Sequence, residues 1–301
     1  MQTPNFKFSE EAADALAENR PLVALESTVI AHGLPRPQNL EFAAEVEEIV
    51  RRNGATPATI AVLAGVPHIG LNRRQVEFLA GGDNIAKLSR RDLPIALAKK
   101  LDGATTVATT SFFAHRAGIK VFATGGIGGV HRGDGWDVSA DLPELASTPI
   151  TVVCAGAKSI LNLPATREWL ETNGICVVGW QTNDFPAFYT RQTTDLKTDV
   201  RIETATEAAE IIASRDQLKL ETAILLVVPV PTEFEIPFET AENLLAQALR
   251  DAGEQKIFGK ETTPFLLRRM SEQSGGATLL ANLALLKQNA RVASQIAKVI
   301  C

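Results

Sequence analysis

Short, continuous apolar runs recur along the chain with amphipathic stretches between them, and this alternation restricts the fold more than any other feature. The runs are PLVALESTVI (21–30), TIAVLAGV (59–66), ATTVATT (104–110), KVFAT (120–124), PITVVCAG (149–156), ICVVGW (175–180) and AILLVVPV (223–230). Most are apolar throughout, as strands are when both of their faces are covered. Strands separated by amphipathic helices imply an α/β sheet with helices on both faces, here of about seven strands. Gly54, Gly118, Gly174 and Gly253 each stand where a left-handed C-terminal cap would stop a helix. Ser9, followed by Glu10 and Glu11, reads as the N-cap of the first helix. After Pro237 the pattern turns all-helical, in segments 239–253, 262–276 and 278–300, with Gly275 and Gly276 breaking the last two. This tail could pack on the sheet or wrap a neighbouring subunit. No internal repeat or Ser/Pro-rich linker interrupts the pattern, so one domain over residues 1–301 is expected.

With 45% hydrophobic and 22% charged residues, the 301-residue chain has the composition of a soluble globular protein with a large core. The net charge of -5 comes without a basic block, which argues against a nucleic acid polymer as partner. A small anion is still possible, because it needs only a few well-placed donors. The three cysteines, Cys154, Cys176 and Cys301, show no metal-site spacing, and the first two read as small hydrophobes inside apolar runs. No signal-like segment and no run of 18 apolar residues is present; a cytoplasmic protein off the membrane is expected, with a processed transit peptide as the alternative.

Polar residues at the ends of the apolar runs carry the functional signal, since open α/β sheets bind ligands at the carboxyl edges of their strands. Glu26 follows Val23, Ala24 and Leu25; apolar walls would raise its pKa and suit it to general acid work, although a turn-capping Glu reads the same way. Lys158 closes TVVCAGAK, where an amine could attack a carbonyl carbon, bind phosphate or sit in an ion pair. A P-loop is excluded, because Ala157 and Val152 stand where that motif requires glycine. FATGGIGGVHRG could cradle a phosphate or ribose with backbone N–H groups, whereas a dinucleotide fingerprint fails at His131. In DVSADL, Asp137 could hold a divalent cation completed by water and Asp141 could bind hydroxyls, or Asp137 or Ser139 could cap a helix. Lys87 and the threonines 105, 106, 109 and 110 suit a sugar phosphate, though threonines also favour strands. The RRD run beside Lys87 reads as a solvated or capping cluster.

Taken together, VALESTVIAHGLPRPQN, SRRDLP, GATTVA, GGIGGVHRG, DVSADL, VVCAGAKSILNLPAT and DFPAFY resemble the pseudouridine-5'-phosphate glycosidase family, also called indigoidine synthase A-like. TTPFLLRRM and ATLLANLALLKQNA are similar to its closing motifs. The resemblance implies a three-layer α/β/α sandwich with a mostly parallel or mixed central sheet, usually assembled as a homotrimer. The implied activity is reversible conversion of pseudouridine 5'-phosphate and water into uracil and ribose 5-phosphate, with a divalent metal, typically Mn2+. By motif, Lys158 matches the nucleophile at ribose C1' and Glu26 the proton donor. Lys87, Val107, Ser139, Ala140 and Asp141 match substrate-binding positions and Asp137 the metal ligand, while Thr124, His131 and Asn282 are expected to contact phosphate or sugar. A pseudouridine kinase would be the pathway neighbour. A class I aldolase acting on another phosphorylated sugar would share the lysine, and a sugar-phosphate sensor would not need Glu26 or Lys158.

Overall fold

The computed structural model describes residues 6–133, 136–193, 195–257, 259 and 262–301. Residues 1–5 of the N-terminal segment and Asp134 and Gly135 of the RGDGWD stretch lie outside the described residues. The first half of the chain forms β1 (Lys7–Phe8), α1 (Glu10–Ala17), β2 (Leu22–Leu25), α2 (Gln38–Arg52), β3 (Thr56–Leu63), β4 (Val66–Ile69), α3 (Arg73–Gly81), β5 (Ala86–Leu88), α4 (Leu93–Ala98), β6 (Gly103–Thr105), α5 (Val107–Arg116) and β7 (Val121–Ala123). The second half adds α6 (Asp141–Leu145), β8 (Thr151–Cys154), α7 (Leu163–Thr172), β9 (Cys176–Trp180), β10 (Val200–Ile202), α8 (Ala205–Gln217), β11 (Ile224–Val227), α9 (Phe238–Glu254), α10 (Thr262–Gln273) and α11 (Ala277–Val299).

Strands β3-β2-β7-β8-β11-β9-β10, in that spatial order, pair in parallel throughout. Past Thr59, β3 leaves this sheet and pairs antiparallel with β4 on one side and β6 on the other; β1 and β5 extend the smaller mixed sheet. Helices α2, α8 and α11 pack together as one layer, α5 and α6 belong to another, and the sheet lies between them in a three-layer α/β/α arrangement. The main apolar cluster takes in side chains from Ala12 to Ala297. Burial pushes the Cys154 thiol up to about 12, so it serves the core as a small hydrophobe. Among the described residues no helix is long and apolar enough to cross a membrane.

Two expected strands end early. PLVALESTVI stays extended only to Leu25, and the chain then enters a π-helical turn at Val29–Gly33. In ATTVATT the strand stops at Thr105, and Thr106 caps α5, so Thr109 and Thr110 are helical. Gly54, Gly118 and Gly174 take left-handed φ after their helices, whereas Gly253 lies inside α9, which ends at Glu254. Ser9 caps α1 by accepting from the Ala12 N–H.

The C-terminal helix α11 packs on β2, β7 and β8 of its own sheet. Its fully buried Asn289 donates through Nδ2 to the Thr124 carbonyl at 2.7 Å and the Gly125 carbonyl at 3.3 Å, tying down the chain where it leaves β7. Asn289→Ala should cost about 1–3 kcal/mol, because the carbonyls would lose a buried donor. Urea unfolding checks this: the midpoint should fall at unchanged slope, and an unaltered midpoint would assign Asn289 no such role.

Candidate active site

Register brings the ends of β2, β7 and β8 level. Leu25 pairs with Ala123, and Ala123 with Val153. Glu26 and Thr124, each one residue further, therefore meet, and Thr124 Oγ1 donates to Glu26 Oε1 at 2.5 Å. Beyond the strands, the two chains continue side by side. Ala155 donates to the Gly125 carbonyl, Ile127 to that of Gly156, and Lys158 to that of Ile127. This extension carries Lys158 past the sheet edge to the position where Glu26 stands.

Both side chains line a cavity of about 390 Å³ together with Lys87, Val107, His131, Asp137, Ser139, Ala140, Asp141 and Asn282. Thr124 is the expected site residue that the cavity does not include: it is buried behind Glu26 and its hydroxyl is held on the carboxylate. Lys87 arrives from the smaller sheet, where β5 pairs with β6. Of the four threonines in GATTVATT only Thr106 reaches the cavity. Thr105 Oγ1 donates to the Ile60 carbonyl and accepts from Thr110 Oγ1, and Thr109 Oγ1 donates to the Leu88 carbonyl; these hydroxyls fasten α5 to the strands beside it.

Part of the glycine-rich segment is closed by its own hydrogen bonds. The N–H of Ile127 bonds to Gly156, that of Gly128 to Asp141 Oδ2 at 2.8 Å, and that of Val130 to Thr166. Its glycines permit close approach: a Cβ on Gly128 would stand 2.2 Å from Ser139 Oγ, and one on Gly129 would stand 2.4 Å from Thr166 Oγ1. Asp141 accepts a second N–H, from Ala108 at 2.9 Å, so its carboxylate links the first turn of α5 to the glycine segment. Asp141 begins α6, and Asp137 and Ser139 precede it in the loop.

Thr28, His32, Arg91, Phe188, Thr263 and Leu267 also line the cavity without having been singled out in sequence. Thr28 was read as part of a strand and His32 lies just past it; the chain instead enters the π-helical turn at Val29–Gly33. Such turns recur at functional sites. The RRD cluster divides: Arg90 pairs with buried Glu144 at 2.7 Å, Asp92 accepts from the Ser89 N–H, and Arg91 faces the cavity.

The model of the family described as indigoidine synthase A like protein matches residues 11–299. The chain belongs to that family. It is 52% identical over 292 residues to a protein of Caldanaerobacter subterraneus named pseudouridine-5'-phosphate glycosidase, covering 96% of this chain and 95% of the relative. The Escherichia coli K12 protein of the same name is 49% identical over 295 residues, covering 97% and 94%. Two solved structures share the fold at TM-score 0.90 and 38% identity. One is an indigoidine synthase A-like protein from Thermotoga maritima, covering 99% of this chain and 97% of that one. The other is the prealnumycin C-glycosynthase AlnA in complex with ribulose 5-phosphate, covering 98% and 96%.

Within this member of the family, burial is the largest influence on Glu26 and raises its pKa. The Lys158 charge and the Thr124 hydrogen bond oppose it, Asp141 adds to it, and Lys87 opposes it more weakly. Desolvation thus outweighs two nearby ammonium groups and favours the protonated acid. For metal, no cluster of three or more His, Cys, Asp or Glu side chains suited to an ion exists among the described residues. Exposed Asp137 at the cavity suits a hydrated, oxygen-ligated cation rather than a closed zinc-type cage.

Because the folded chain holds the Glu26 proton more tightly than the unfolded one, the associated stability is present below the ordinary value of 4.5 and is lost as pH rises through the higher folded value. Glu26→Gln removes that loss. Its urea midpoint should therefore gain on the wild type between acid and neutral pH; a pH-independent difference would contradict the raised pKa.

Proposed function

We propose that the chain is a pseudouridine-5'-phosphate glycosidase, reversibly cleaving the carbon-carbon glycosidic bond of pseudouridine 5'-phosphate to give uracil and ribose 5-phosphate. The observation that carries this is the convergence of Lys158 and the acid-favouring Glu26 on one cavity, from strands that register brings level. Full-length relatives bearing that name, and a C-glycosynthase of the same fold with a pentulose phosphate bound, support it.

A C-glycoside has no leaving heteroatom to protonate, so two carboxylates in the usual glycosidase arrangement are insufficient. An amine at C1' supplies the missing driving force. The Lys158 amine bonds to C1' as the bond from C1' to the ribose ring oxygen breaks, and the proton shed by its nitrogen goes to that oxygen, while Glu26 keeps its own. The nitrogen lone pair then forms the C1'=N bond, and the electron pair of the C1'–uracil bond goes to the uracil carbon, which takes its proton from Glu26. Water hydrolyses the imine to ribose 5-phosphate and restores the lysine. Thr124 holds the Glu26 carboxyl toward the reacting centre, and Asp141 keeps the walls contributed by α5 and the glycine segment together.

Lys87, His131, Ser139 and Asn282 line the same cavity and offer donors to the phosphate and sugar hydroxyls, with Val107 and Ala140 forming part of its wall. Asp137 would hold Mn2+ with water and substrate oxygens, where the ion supplies positive charge beside the phosphate. Assembly as a homotrimer in the cytoplasm, with a separate pseudouridine kinase making the phosphorylated substrate, belongs to the same proposal.

Ultraviolet detection of uracil released from pseudouridine 5'-phosphate with Mn2+, before and after chelation, tests it. Chelation should suppress release, and Glu26→Gln should lower kcat by about 10²–10⁴, the range for losing a general acid. No uracil from the folded protein under either condition would overturn the assignment.

A further inference from the structure

We infer that the turn at 186–188, which contributes no reacting group, is the positioning element for Lys158, acting through Gly156 and the ring of Phe188. This rests on Lys158 being the amine nucleophile proposed above. Two backbone positions in unusual conformations face each other two residues before that lysine. Gly156 has φ of +77°, and a Cβ there would stand 2.1 Å from the Pro186 carbonyl oxygen. Phe188 has φ of +60°, a left-handed conformation that a bulky side chain rarely adopts.

The surroundings explain why each is held there. Phe188 donates its N–H to the Ala155 carbonyl at 3.0 Å, and Gly156 and Ala187 form an antiparallel bridge. With its backbone fixed on the 155–156 segment, the Phe188 ring turns back over the glycine loop, where a Cβ on Gly126 would stand 2.7 Å from it and 3.0 Å from the Gly156 carbonyl. The far side of the turn is anchored as well: Thr190 Oγ1 donates to the Ile236 carbonyl at 2.8 Å, and Ile236 N–H donates to the Tyr189 carbonyl. Three chain segments, 125–127, 155–157 and 186–190, therefore interlock at backbone contact distance, and Lys158, the next residue, reaches the cavity. A left-handed bulky residue persists only where its neighbours over-determine it, and such residues gather where geometry serves chemistry.

A positioning role separates from a binding role in what each changes. With ribose 5-phosphate and cyanoborohydride, the imine at Lys158 is reduced to a stable secondary amine, and its rate of formation reports amine placement without any carbon-carbon cleavage. In Gly156→Ala the new methyl group must displace the carbonyl or the 155–158 segment. Trapping and kcat should both fall about 100-fold, the order of loss expected when a reacting group is misplaced by an ångström, while ribose 5-phosphate affinity stays within about threefold. Phe188→Gly keeps the left-handed backbone accessible while removing the benzyl side chain that holds it; trapping and kcat should fall together by about tenfold. This second variant decides the matter if the first does not fold. Either folded variant trapping at the wild-type rate overturns the inference, as does a loss of ribose 5-phosphate binding in proportion to kcat. Failure of the underlying reading has a different signature: wild-type protein that releases uracil yet is never trapped at Lys158 removes the nucleophile itself.

Discussion

Everything at the cavity depends on the parallel register of three neighbouring strands, β2, β7 and β8. Their pairing fixes Glu26 against Thr124 and lets the chain beyond β8 run alongside the chain beyond β7 until Lys158 is reached. A one-residue slip in either pairing would exchange the faces of every side chain on the shifted strand and separate the acid from the amine. The strand order reverses between β3 and β7, on either side of β2, so the cavity opens at a switch point, where open α/β sheets leave a crevice at their carboxyl edge.

From this edge the remaining parts follow as supports. Asn289 on α11 holds the carbonyls that end β7, Asp141 joins α5 to the glycine segment through two backbone N–H groups, and the buried hydroxyls of Thr105, Thr109 and Thr110 fasten α5 to its neighbouring strands. The Asn289 Nδ2, the Asp141 carboxylate and the three hydroxyls are buried and hydrogen-bonded, which stiffens the site at the positions where the proposed chemistry needs it. The electrostatics then favour an acid: desolvation of Glu26 outweighs the lysine charges beside it.

Much of this was legible from residue pattern. The apolar runs located most strands of the parallel sheet because strands covered on both faces show no alternation, and the polar residues terminating those runs, Glu26 and Lys158, were the useful clues. Strand β10 left no such trace: it is three residues long, and Val200 and Arg201 are exposed at the edge. Pattern also failed where hydrogen bonding decides conformation. Thr106 turns a β-like threonine run into a helix by capping it, and the π-helical turn at Val29–Gly33 places Thr28 and His32 on the cavity, which an extended continuation would not. The glycine segment shows the same limit: glycine is required there for side chains packed against it, and the N–H groups of Ile127, Gly128, Val130 and His131 have protein acceptors. Sequence composition does not distinguish close packing from an open nest.

The central claim is that a lysine, and not a carboxylate, takes C1' of the sugar. Nuclear magnetic resonance of ribose 5-phosphate labelled with carbon-13 at C1', bound to protein carrying nitrogen-15 in its lysine side chains, examines that bond itself. A one-bond carbon-nitrogen coupling at C1' that disappears in Lys158→Met is the result predicted here. Uracil release at full rate from a protein showing no such coupling, or a coupling that persists in Lys158→Met, would contradict it.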